Sequence, residues 1–106
     1  MSDQVWYVAR ILLRCSAVVD DQPLFSEEFV LLKAASYAEA HHKAEVKGGS
    51  LGHSYLNGAG DEVRWTFQAV LEVKRTVDHA IGDGSEIYAR TWSTPPEVIP
   101  QSPLDE

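Results

Sequence analysis

The sequence has one cysteine in 106 residues, so Cys15 has no internal partner and the fold rests on its core rather than on a disulfide framework. Basic residues are scarce. Nine lysines and arginines stand against sixteen aspartates and glutamates, a formal net charge of −7. Binding nucleic acid by phosphate neutralisation needs a concentrated basic surface, so nucleic acid is not an expected partner. Long apolar runs are missing too. Stretches such as Ile11-Leu12-Leu13 fall far short of the ~20 residues that span a bilayer, which excludes a membrane helix. The first four residues show neither the basic start nor the apolar run of a secretion signal, so a cytoplasmic location is expected. No His-x-x-x-His pair and no cysteine pair is present, and adjacent His41 and His42 diverge by about 100° on a helix, so no metal and no cofactor is expected. Proline is nearly absent from the first 92 residues, where only Pro23 occurs, and then crowds into Pro95, Pro96, Pro100 and Pro103. This divides the chain into a single domain over 1–92 and an extended or disordered tail over 93–106.

What is present is alternation. Residues 62–74 place Val63, Trp65, Phe67, Ala69, Leu71 and Val73 on one side of a period-two ribbon, with Arg64, Gln68, Val70 and Glu72 among those on the other. That is a long half-buried strand. Residues 5–15 are a second strand candidate, with Tyr7, Ala9, Ile11, Leu13 and Cys15 facing the core and Trp6, Val8, Arg10, Leu12 and Arg14 facing away. A turn over 20–23 leads to a strand over 24–34, whose Phe29-Val30-Leu31-Leu32 run is apolar on both faces, the pattern of a strand covered on each side. Ser36 and Glu39 form a capping box, and a helix follows to about residue 47, with Tyr37, Ala40 and Ala44 as its apolar stripe and Gly48-Gly49 as its stop. Strands over 52–56 and 85–92 complete the count. The expected fold is α+β: an antiparallel sheet in the order β-β-α-β-β-β with one helix on one face.

Four short motifs carry a resemblance: Trp6-Tyr7-Val8-Ala9-Arg10, His53-Ser54-Tyr55-x-Asn57, Val63-Arg64-Trp65-x-Phe67 and Glu86-Ile87-Tyr88-Ala89-Arg90. In this order and spacing, over about residues 5–91, the chain resembles a small bacterial family of unknown function of the DUF 4288 type. The resemblance implies a single bacterial-type domain and transfers no activity. The longer first loop over 16–23 and the tail are its own.

The outer sheet face holds the candidate sites. Arg10, Arg14, Arg64 and Arg90, four of five arginines, fall on it by parity, and with Gln68 and Tyr88 they form a candidate anion site of Arg10, Arg64, Gln68, Tyr88 and Arg90. Pairing with Glu28, Glu62, Glu72 or Glu86 is the structural alternative. Trp6, Val8, Leu12, Val70 and Trp92 make the same face too apolar to stand in water, so it is a candidate interface. A second copy of the chain, the tail folding back, or another protein would cover it, unless a bulge swaps the faces. Cys15 reads as a buried strand cysteine and the glycine clusters as hairpin turns. No acid and base pair is evident. The leading expectation is a non-enzymatic interaction module, a homodimer or the partner of another protein, with an immunity or antitoxin-like role as its concrete version. The alternative is a binder of small anionic ligands, or a small enzyme, built on the arginine face.

Overall fold

The computed structural model describes residues 3–19, 21–89 and 91. Four strands and one helix follow in the order β1 (Val5–Val19), β2 (Gln22–Ala34), α1 (Tyr37–Leu51), β3 (His53–Leu56) and β4 (Glu62–Arg75). All strand pairs are antiparallel, and the sheet order is β2-β1-β4-β3. Among the described residues the fold is α+β with four strands rather than the expected five. In the described part of the expected last strand, residues 85–89 have no strand pairing; Arg90 and Trp92 lie outside the described residues, as does the expected tail.

β1 pairs on both edges and supplies the centre of the core. Tyr7, Ala9, Ile11, Leu13 and Cys15 are all buried, as the alternation of β1 predicts. Ala34, Ala40, Ala44 and Val73 join them, with Val5, Val30, Leu32, Leu51, Trp65, Phe67 and Val70 packed around. Fully burying side chains such as Ile11 and Leu13 contributes roughly 1.5–3 kcal/mol each. The hairpin from β1 to β2 is tighter than the expected loop, turning at Asp21, whose φ of 60° is a left-handed geometry that aspartate tolerates.

The helix begins where the capping box puts it. Ser36 Oγ accepts from the Glu39 amide at 3.2 Å, while the Glu39 carboxylate accepts from the Ala35 amide at 3.3 Å, one residue earlier than the capping-box pattern places it. Its end differs from expectation. Gly48 and Gly49 lie inside α1, which caps at Gly52. Gly48 is buried against Phe67, whose ring would stand 2.5 Å from a Cβ there. Ala40, Ala44 and Gly48 therefore form a stripe of small residues that lets helix and sheet approach closely, and Tyr37, expected in the apolar stripe, is exposed.

β4 carries two irregularities against β1. Arg10 pairs with Glu72 and Ile11 with Val70, which skips Leu71; Leu12 pairs with Ala69 and Leu13 with Phe67, which skips Gln68. Each extra residue reverses the side-chain parity and bends the strand, so the sheet curls over the helix. Between the two bulges the faces are exchanged. Val70 points to the core beside Ile11, Ala69 joins Leu12 on the outer face, and Leu71 is exposed. Val70 thus leaves the outer face on which strict alternation places it.

Candidate functional site

The register builds the outer face rung by rung. Across β2, β1 and β4 run Leu31, Val8 and Lys74; Phe29, Arg10 and Glu72; Glu27, Leu12 and Ala69; then Phe25, Arg14 and Thr66. Trp6 opposite Lys33 begins the series, with Lys33 Nζ 5.1 Å from the indole ring.

Arg10 is the hub of this face. Its Nε donates to Glu27 Oε1 at 2.8 Å, its Nη2 lies 2.6 Å from the same oxygen, and its Nη1 lies 3.3 Å from Glu72 Oε1. The Tyr88 hydroxyl donates to Glu72 Oε1 as well. The hydrogen bond with Glu27 is the main reason the Arg10 pKa is raised, and the bond from Tyr88 is the main reason the Glu72 carboxyl is held below its ordinary range. Both guanidinium edges are taken by carboxylates. A free anion arriving at Arg10 would have to displace Glu27 or Glu72, so the arrangement is an internal clamp rather than an open anion site.

Tyr88 reaches the clamp because the chain after β4 folds back over the sheet. The Thr76 amide donates to the Trp6 carbonyl at 3.1 Å, and the Asp78 and Glu86 ends of the loop are tied by Asp78 N to Glu86 O at 3.0 Å and Glu86 N to Asp78 Oδ2 at 2.8 Å. The turn between them is closed by Ser85, whose Oγ accepts from the Gly82 amide at 2.7 Å. The Tyr88 ring meets Phe29 edge-on at 5.8 Å, Lys74 Nζ stands 5.3 Å from its centre, and the same ammonium donates to the Ala89 carbonyl at 2.9 Å. Tyr88 therefore spans from β2 to β4, crossing β1 at Val8 and Arg10. This strap explains why Val8, on the outer face, is buried.

The candidate anion residues do not gather in one place. Arg10 and Tyr88 are joined through Glu72. Arg64 sits at the Ser16 end of β1, where its amide donates to Ser16 Oγ at 2.9 Å, six residues and about 20 Å along the strand from Arg10. Its guanidinium pairs with Glu62 at 2.7 Å. Gln68 occupies a bulge and lies 3.3 Å from Thr66 Oγ1, and Arg90 is outside the described residues. Arg14 stands 5.9 Å over the Phe25 ring, and a shallow cavity of about 300 Å³ opens between Arg14, Ser16, Arg64 and Thr66. Of the candidate interface residues, Trp6 and Leu12 are half-buried on the outer face, Val8 lies under the strap, Val70 faces the core and Trp92 is outside the described residues.

The apolar surface that stays open is on β2. Phe25, Phe29 and Leu31 are 47%, 53% and 39% exposed, and all three share the outer face. Their strand is an edge strand. Among the described residues, nothing pairs with the side of β2 away from β1. Period-two spacing of Phe25, Phe29 and Leu31 was the available signal, but the double-sided apolar run points to a strand covered on both faces, which β2 is not.

A four-stranded antiparallel sheet with one helix, a clamped outer face and an open apolar edge defines a small α+β protein without a recognisable catalytic constellation among the described residues. The chain belongs to the family described as a domain of unknown function (DUF4288), whose model matches residues 6–89, from the first outer-face residue Trp6 through the strap. No curated protein and no solved structure matches the chain.

Proposed function

We propose that the protein is a non-enzymatic interaction module that adds the free edge of β2 to a strand of another polypeptide. One observation carries this reading: a 13-residue edge strand that exposes Phe25, Phe29 and Leu31 beside an edge that no strand among the described residues pairs, with Lys43 Nζ bonding the Lys33 carbonyl near its end. Such an edge is a template for further pairing, and proteins that leave an edge unused blunt it with charge, proline, bulges or short length. β2 carries charge at Glu27, Glu28 and Lys33 but has little of the other protection. Its one proline is Pro23, at the second residue, and its register with β1 is unbroken from Phe25 to Ala34. Backbone hydrogen bonds would supply affinity, and the alternate apolar side chains would supply specificity.

Photo-crosslinking in cells tests this. A benzophenone amino acid replacing Phe29 is expected to give a discrete protein adduct, and the same group replacing Val46, exposed on α1, is expected to give none. Equal labelling from both positions, or none from either, would remove the β2 edge as the contact.

A further inference from the structure

The partner strand is readable from β2 itself. Two copies joined edge to edge about a two-fold axis normal to the sheet keep their outer faces on one side. Directly opposed residues then share a face, so the two numbers in each opposed pair sum to an even value. Only a few registers remain.

With Glu28 on the axis, like charges face each other across it. With Phe29 on the axis, Lys33 meets Phe25 and Glu27 meets Leu31, two apolar groups against two charges in each half. With Leu31 on the axis, Lys33 meets Phe29 and the overlap shortens. With Val30 on the axis, Lys33 faces Glu27 and Phe29 faces Leu31, and symmetry repeats both pairs. On the inner face Val30 meets itself and Glu28 meets Leu32, so the one mismatch of charge against apolar group falls on that face. This register alone joins opposite charges and matches Phe29 with Leu31 at once, while Phe25 falls opposite residue 35, just beyond the end of β2.

Resting on the edge-pairing reading above, we infer that the occupant of the β2 edge is a second copy of this chain, paired antiparallel with Val30 on the two-fold axis to form a continuous eight-stranded sheet. Glu27 then lies between Arg10 of its own chain and Lys33 of the other copy, completing a charge row across the junction. Phe29 already supports Tyr88 edge-on, so the strap of each copy lies close to the junction. The like net charge of two chains opposes the approach at long range, but at physiological salt it is screened beyond about 8 Å. The local Lys33 and Glu27 pairs act within that distance.

Light scattering on the full chain over a concentration series is expected to show a molar mass rising to twice that of one chain. Lys33→Glu, which sets like charges against Glu27 at two symmetric places, is expected to raise the dissociation constant roughly tenfold. Single cysteines at positions 29, 30 and 31 in a Cys15→Ala background fix the register. Mild oxidation is expected to link copies fastest through Val30→Cys, because a residue on the axis faces its own copy within disulfide reach. Faster linkage through Phe29→Cys or Leu31→Cys would overturn this register. A full chain that stays monomeric at millimolar concentration would overturn the second copy as occupant. If residue 29 still crosslinks another protein in cells, edge pairing stands with a different partner; if it crosslinks nothing, both readings fall.

Discussion

Gly48 and Gly49 are neighbours of one residue type inside one helix, and they have opposite requirements. A methyl group at Gly48 meets the Phe67 ring at 2.5 Å, whereas one at Gly49 meets nothing within 4 Å. In an exposed helix interior, alanine is favoured over glycine by about 1 kcal/mol. At Gly48 that gain is outweighed by an overpacking penalty of about 1–3 kcal/mol, since the ring must leave the helix. Gly49→Ala is therefore expected to raise the melting temperature by about 4 °C and Gly48→Ala to lower it by a similar amount, read by calorimetry. The pair also marks a limit of local reading. A double glycine after a helical pattern has the composition of a stop, and only Phe67, nineteen residues on in a different element, gives Gly48 a packing role. The start of the same helix was legible because Ser36 and Glu39 act on backbone groups within four residues of themselves.

At the scale of the element, β4 separates a pattern from its register. Ala69, Val70 and Leu71 are consecutive apolar residues, so either parity places something apolar inward, and the sequence itself carries no mark of the two bulges. Strict alternation assigns Leu71 to the core and Val70 to the surface; the register does the reverse. Val70→Ala is expected to cost about 1–2 kcal/mol in urea unfolding, and Leu71→Ala less than about 0.5 kcal/mol. Equal costs would mean that the faces are not exchanged there. β1 was legible over residues 5–15, because its apolar and polar positions alternate without a bulge as far as Arg14 on the β2 side; its extension to Val19, past a register shift, falls in the stretch expected as a loop. Residues 85–89 were not legible. Ile87-Tyr88-Ala89 has strand-like composition, yet Glu86 bonds back to the Asp78 amide and carboxylate, and Lys74 takes the Ala89 carbonyl, so one backbone bond and two side chains stand in for a neighbouring strand. The arginine face suffered the same fate. Parity placed Arg10 and Arg64 on one side of the sheet and named Glu62 and Glu72 among their alternative partners, both of which the structure pairs, but the separation of the two arginines along the strands and the place of Glu27 beside Arg10 depend on register, which composition does not carry.

Over the whole molecule, the two sheet faces are closed by different means. The inner face has a packed helix and an apolar core, while the outer face has a polar clamp in which Tyr88, Glu72, Arg10 and Glu27 tie the strap to β4, β1 and β2. One carboxylate, Glu72, thus joins the strap to the sheet alongside the Lys74, Thr76 and Phe29 contacts, and this part of the fastening is linked to protons. Glu72 is held below its ordinary range in the fold, first by the hydrogen bond from Tyr88 and also by Arg10. A carboxylate with a depressed folded pKa contributes stability that is fully present above its unfolded value and is lost as pH falls through the folded one. Many carboxylates titrate in the same acid range, so the test compares variants. Glu72→Gln keeps a group able to accept from Tyr88 but cannot ionise, and it is expected to be less stable than the parent at neutral pH. As the pH falls through the acid range, where Glu72 is protonated, the gap between the two unfolding free energies is expected to close. Tyr88→Phe, which removes the hydroxyl and leaves the ring on Phe29, should return the Glu72 carboxyl toward its ordinary range and shift that closure to higher pH. A gap that stays constant across the acid range would mean that Glu72 does not fasten the strap, and the burial of Val8 would then rest on the apolar contact between Phe29 and Tyr88.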